Sequence, residues 1–265
     1  MPKMTGAKAV VETLVKNKVG AVIGMTGHTV MEVADELARD GQIKAVYTRN
    51  EVNGTYMAYG YNKIRPENPA VCLWHVAGMP HAAPGIMTAM ADSVPMVVLG
   101  GNVTSDALGR KDFQDTPTAE MYAPITKWSR RVANAAELPS ALTKALQVSG
   151  AGRPGPVVLD VPFDYFVETA EIDLEVPHVR PVAPGVDPEA IANAISLLKN
   201  AKNPVIIAGG GVAISKAGDE VRALAEALCI PVATGRSGSK GIFPESHELA
   251  IGTIGSFGWE IGNET

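Results

Sequence analysis

The sequence predicts an α/β protein: a doubly wound parallel sheet followed by a second, incomplete α/β domain. Three observations carry that expectation. Short apolar runs of strand length alternate with amphipathic stretches of helical length along most of the chain. The run 94–99 carries no charged residue, as strands covered on both faces do. Aromatic residues make up only 5% of the 265 residues, and Ala, Val and Gly dominate, which suits parallel strands packed under helices.

Taken in order, Thr5 is placed to cap a helix whose apolar positions Ala7, Val10, Val11, Leu14 and Val15 form a helical stripe. A strand over 19–23 follows, then a turn, Gly24-Met25-Thr26-Gly27-His28, and a second amphipathic helix ended by Gly41. The next strand, 43–47, runs into Glu51 at the start of a helix, the kind of junction where α/β folds place their chemistry. The run after Glu51 has no charge until Lys63, so its carboxylate is expected to be partly desolvated, which suits a proton-exchanging role. A helix N-terminal acid favoured by the helix dipole would look the same locally.

Pro66 and Pro69 precede a strand over 70–74, and the loop from His75 to His81 opens a helix to about residue 91. A buried strand over 94–99, an irregular stretch over 104–122 containing Phe113-Gln114-Asp115, a strand over 125–132, a helix over 136–148 and a strand over 157–161 complete the first unit. The repeated strand–loop–helix order implies right-handed crossovers and a site at the carboxyl ends of the strands, where His28, Glu51, His75, His81 and Asn102 fall. Prolines 177, 181 and 184 and loss of periodicity mark a linker. A second unit starts at Asp187-Pro188 and supplies a helix, a strand over 204–208, a helix over 217–228, a strand over 230–233 and a glycine-rich loop through Gly235, Gly238 and Gly241. The expected domains are therefore 1–170, a linker over 171–187, and 188–265.

Net charge is −5 and no basic cluster exceeds Arg130-Arg131, so nucleic acid and anionic membranes are not expected partners. No apolar run has the length of a membrane span and Met1-Pro2-Lys3-Met4 opens no signal peptide, so a cytoplasmic protein is expected. Cys72 and Cys229 lie in apolar surroundings and are expected to be buried thiols rather than a disulfide or metal pair.

Arg49-Asn50-Glu51 followed by Ala58-Tyr59-Gly60-Tyr61 resembles the Arg-His-Glu…Asp-Gly-Tyr-Ala signature of thiamine-diphosphate enzymes, specifically acetolactate synthase large subunits and their benzoylformate decarboxylase relatives. Asp92-Ser93-Val94-Pro95, Phe113-Gln114-Asp115, Ile125-Thr126-Lys127-Trp128 and Arg153-Pro154-Gly155-Pro156-Val157 fall in that family's order, and Pro204 to Gly211 looks like the start of its middle domain. The resemblance implies a pyrimidine-binding domain over 1–170 and part of a middle domain over 188–265. It implies that Glu51 exchanges a proton with N1′ of the cofactor's aminopyrimidine, which promotes loss of the thiazolium C2 proton and attack on a substrate carbonyl. Gly27 and Gly78 are the implied cofactor-side glycines.

Departures from the family pattern point to the substrate side. His28 stands where benzoylformate decarboxylases carry an active-site serine, and His28 and His75 are catalytic candidates as proton carriers. Trp74, His81, Phe113 and Gln114 are candidates for the substrate pocket. Three histidines without an H-x-x-x-H helix or a cysteine partner do not make a zinc site, and no metal ligand set is expected within this chain. The family's diphosphate- and Mg²⁺-binding domain starts with Gly-Asp-Gly, which occurs nowhere here. The expectation is thus a subunit or fragment of a C–C lyase or transferase acting on a 2-oxo acid or acyloin-type substrate. A second subunit in an oligomer would supply the diphosphate and Mg²⁺ site. A catalytically inactive binding or regulatory subunit is the alternative. FAD or another nucleotide at Gly209-Gly210-Gly211 has weak support, because Ile214 stands where the last glycine of G-x-G-x-x-G belongs.

Overall fold

The computed structural model describes residues 1–176, 185–235 and 241–264. Pro177, Pro181, Pro184 and Gly238 lie outside the described residues. The chain divides into two compact units, Met1–Val182 and Ala183–Thr265.

The first unit runs β1 (Lys3–Thr5), α1 (Gly6–Lys16), β2 (Ala21–Gly24), a 3-10 turn (His28–Val30), α2 (Met31–Asp40), β3 (Lys44–Tyr47), α3 (Glu51–Ile64) and β4 (Ala70–His75). It continues through a second 3-10 turn (Val76–Gly78), α4 (Met79–Ala91), β5 (Met96–Asn102), α5 (Thr118–Tyr122), β6 (Trp128–Arg131), α6 (Leu138–Gly150), β7 (Pro156–Pro162), α7 (Asp164–Val167) and β8 (Thr169–Glu171). Six parallel strands form one sheet in the order β3-β2-β4-β5-β7-β6. The fold is α/β and doubly wound. From β2 the chain steps outward to β3 and then returns across β2 to β4. The order therefore reverses between β2 and β4, the switch point at which open α/β sheets form a crevice.

Alternation along each strand feeds two cores. Val71 and Leu73 of β4 pack with Val10, Leu14, Leu37 and Leu142 from α1, α2 and α6. Cys72 and Trp74 point the other way, into Ala58, Ala82 and Ile86 from α3 and α4. Asn62 locks that second layer to the sheet. Fully buried, it donates through Nδ2 to the carbonyls of Ala70 (3.0 Å) and Pro95 (2.9 Å) and accepts at Oδ1 from the Ala70 N–H (2.6 Å). Replacing it by leucine keeps the volume and strands three backbone groups. Asn62→Leu is expected to cost about 2–4 kcal/mol, read as a lower urea midpoint at unchanged slope.

Three features differ from the sequence expectation. β1 pairs antiparallel with β8, and Met4, Ala9 and Ile172 form a small core of their own. The start of the expected linker therefore packs on the first unit, where Lys16 also reaches Glu175 (2.6 Å). Cys229 is exposed, not buried: it is the left-handed C-cap of a helix and turns out of its apolar neighbourhood.

The second unit contains α8 (Pro188–Asn200), capped by Asp187 as its sequence predicts, then β9 (Ile206–Ala208), α9 (Gly210–Ile214), α10 (Gly218–Leu228), β10 (Val232–Gly235), β11 (Ala250–Ile254) and α11 (Glu260–Glu264). Its strands are parallel in the order β11-β10-β9, over a core of Ala208, Ala225, Val232 and Phe243. β11 and α11 were not anticipated, because a short run interrupted by Gly252 has no clear period. Among the described residues no helix is long and apolar enough to cross a membrane.

Candidate active site

The residue before the helix fixes where Glu51 points. Asn50 is an extended N-cap whose side-chain oxygen accepts from the Asn53 N–H (3.2 Å), which makes Glu51 the first helical residue of α3. Its side chain turns inward and the residue is only 4% exposed. On one side it lies flat against Gly78, where an added Cβ would stand 2.1 Å from Oε1. On the other, Oε2 is 3.3 Å from Nδ1 of His81, in the first turn of α4. The His81 side chain is 63% exposed, so this contact sits at the rim in screening water and contributes little. Among the described residues no lysine or arginine pairs with Glu51.

His75 closes β4 at the other side of the switch point. Its Nδ1 lies 2.8 Å from the Thr29 hydroxyl, and its ring meets His28 edge-on at 5.2 Å. His28 in turn tilts against Phe163 at 5.8 Å. Burial, then the neighbouring His28, holds His75 below the usual histidine range, and the Glu51 charge partly offsets them. His75 is therefore neutral at pH 7, and it feels the field of Glu51. Gly27 is extended backbone that any residue adopts, so its requirement is steric: a Cβ there would come within 2.5 Å of the His75 Cβ.

The structure thus brings together Glu51, Gly78 and His81 as one group and Gly27, His28 and His75 as another, linked through the charge of Glu51 on His75. It does not bring Trp74 to either group. Trp74 is fully buried, its ring against Gly54, its indole N–H finding no conventional acceptor and only the Cys72 sulfur beside it. Burial pushes the Cys72 thiol up to about 12, so it is inert as a nucleophile.

Phe113 is 81% exposed, and among the described residues no contact joins it or Gln114 to Glu51. Gln114 adopts a left-handed backbone (φ 67°) and its Oε1 is buried without a partner among the described residues. That loop borders a separate depression of about 470 Å³, lined in part by Lys111, Asp115 and Arg131, which contains neither Glu51 nor the histidines. Among the described residues no group of three or more His, Cys, Asp or Glu side chains is placed to hold a metal.

Sequence reasoning missed three supporting side chains. Asp160 is fully buried between Arg131 Nε and Asn102 Nδ2, both at 2.8 Å; burial pushes its carboxyl up while these donors pull it down. Asn102 also donates to the Thr116 carbonyl (2.8 Å), tying the 104–117 loop to the sheet. The buried Tyr122 hydroxyl donates to the Met79 carbonyl and so holds the turn carrying Gly78. Thr29, the third, is marked in the sequence only by its place next to His28.

The sequence matches two descriptions of one family: thiamine pyrophosphate enzyme, N-terminal TPP binding domain, over residues 4–121, and thiamine pyrophosphate enzyme, central domain, over residues 191–265. It is 37% identical over 264 residues to the acetolactate synthase large subunit of Corynebacterium glutamicum, covering 97% of this chain and 41% of that protein. It is 34% identical over 269 residues to the probable acetolactate synthase large subunit of Methanocaldococcus jannaschii, covering 98% and 45%. With acetolactate synthase isozyme 1 large subunit of Escherichia coli it shares 32% over 260 residues, covering 97% and 45%. The chain spans less than half the length of these relatives. With a parallel sheet whose strand order reverses between β2 and β4 and a buried glutamate at the head of α3, the chain belongs to the thiamine pyrophosphate enzyme family.

Proposed function

We propose that this chain forms the pyrimidine-binding side of an acetolactate synthase-like, thiamine-diphosphate-dependent enzyme. The reaction makes or breaks a C–C bond next to the carbonyl of a 2-oxo acid or acyloin-type substrate. The observation that carries this reading is the Glu51 carboxylate, buried with no lysine or arginine partner among the described residues and seated in a cradle that only a glycine leaves open. An acid so placed fits an aminopyrimidine edge, since a ring nitrogen can share its proton in a charge-assisted hydrogen bond. Bound thiamine diphosphate supplies the electron sink for C–C chemistry.

The chain's own residues then divide the work. Glu51 holds and exchanges the proton at the ring nitrogen, and Gly78 sets its position. Neutral His75, with His28 beside it, and His81 at the rim next to Glu51 accept or return protons on the substrate side. The diphosphate and Mg²⁺ belong to a diphosphate-binding domain, on a partner chain or on a longer polypeptide, within a cytoplasmic oligomer. The pyrimidine-binding role is assigned to 1–170 and the central role to 188–265, with residues 171–175 packed on the first unit rather than free of it. An inactive binding subunit is the weaker reading, because a buried carboxylate whose side-chain partner is only an exposed imidazole costs stability that such a subunit would have no reason to bear.

The test is calorimetric titration of thiamine diphosphate and Mg²⁺ into this chain assembled with a diphosphate-binding domain, followed by a panel of 2-oxo acids scored for CO₂ release and C–C bond formation. Saturable binding and turnover of at least one 2-oxo acid are expected. Absence of binding in the assembled wild type sinks the proposal.

A further inference from the structure

We propose that Thr29 is a positioning residue that fixes His75 as its Nδ1–H tautomer and so presents Nε2 to the cleft as the nitrogen with the free lone pair. The Thr29 hydroxyl has one proton, and it lies 2.9 Å from the Gly101 carbonyl, which can only accept. With that proton given to Gly101, the oxygen can only accept from its other two neighbours. These are the Val76 N–H (3.4 Å) and Nδ1 of His75 (2.8 Å), so Nδ1 carries hydrogen. Among the described residues no protein group hydrogen-bonds to Nε2.

The surroundings are shaped for this contact. Thr29 is fully buried. An added Cβ on Gly101 would stand 2.1 Å from the Thr29 carbonyl oxygen, so β5 approaches the 3-10 turn as closely as only glycine permits. Gly27 presses on the other flank of His75. The charged or titratable groups facing the ring are His28, on the turn after β2, and Glu51, at the start of α3. Neither competes for Nδ1.

The tautomer stands independently of the proposed function, whereas its catalytic consequence rests on that reading. Long-range ¹H–¹⁵N spectra of the full chain at pH 7, with His75 assigned by its loss in His75→Gln, should show a protonated Nδ1 and a pyridine-type Nε2. Thr29→Val should give a mixed or inverted pattern, and Thr29→Ser should restore the wild-type one. A wild-type His75 protonated at Nε2 overturns the inference, and so does a Thr29→Val spectrum identical to wild type. If Thr29→Val does not fold, the wild-type and Thr29→Ser spectra decide alone. In the assembled enzyme Thr29→Val should lower kcat about 10- to 100-fold with cofactor affinity unchanged, part of what positioned acid–base groups contribute. Failed cofactor binding with the expected tautomer rejects only the function; an inverted tautomer in a cofactor-binding enzyme rejects only this inference.

Discussion

Glu51→Gln is expected to lower kcat by about 10²–10⁴-fold, the range contributed by a positioned general acid–base group, while the chain folds as before. The amide is isosteric with the carboxylate and fills the same slot against Gly78. It is neutral, so the desolvation penalty of a buried charge disappears, and thermal stability should stay level or rise. Any change in the rim contact to His81 at 3.3 Å costs little, because the imidazole is largely in water. Activity and melting temperature should therefore move apart. A variant with unchanged kcat would remove the proton-exchanging role, and one that unfolds would make the residue structural.

The sheet and its layers were legible because both faces of each central strand obey one rule. In β4 the alternation Val71, Leu73 against Cys72, Trp74 splits two cores cleanly. The same alternation corrects the reading of Trp74: the strand extends to His75, so the tryptophan sits inside the sheet's second layer and the half-buried histidine stands at the strand's end. β1 and β8 escaped notice because three-residue strands have no period to detect. Cys229 misled because apolar neighbours in sequence do not reveal a left-handed cap.

Glu51 could be read from its strand-to-helix junction, a local feature. Its partners could not, since Gly78 and His81 arrive from α4 and the turn before it. Thr29 meets His75 from 46 residues away, and Asp160 meets Asn102 from 58. Such supports emerge only when the crossovers bring strand ends side by side.

Gly78→Ala tests that assembly directly. Gly78 has ordinary right-handed helical backbone (φ −86°, ψ −17°), so alanine brings no conformational strain and even favours the helix it precedes. The whole cost falls on the contact: the new Cβ would stand 2.1 Å from Oε1, 2.6 Å from Cδ and 2.8 Å from Cγ of Glu51. The carboxylate must shift by about an ångström, a displacement that can cost about 100-fold in kcat. Overpacking should also remove about 1–3 kcal/mol of stability. Gly60→Ala in α3 is the matched control. An added Cβ meets nothing within 4 Å there, so that variant should gain about 0.5–1 kcal/mol and keep full activity. Combining Gly78→Ala with Glu51→Gln separates the causes. If the glycine acts by seating the carboxylate, the double variant should be no slower than Glu51→Gln alone, because the acid whose position mattered is already gone. A further fall would show that Gly78 does something besides hold Glu51, and wild-type kinetics in Gly78→Ala would show that the carboxylate is free to relax and needs no cradle.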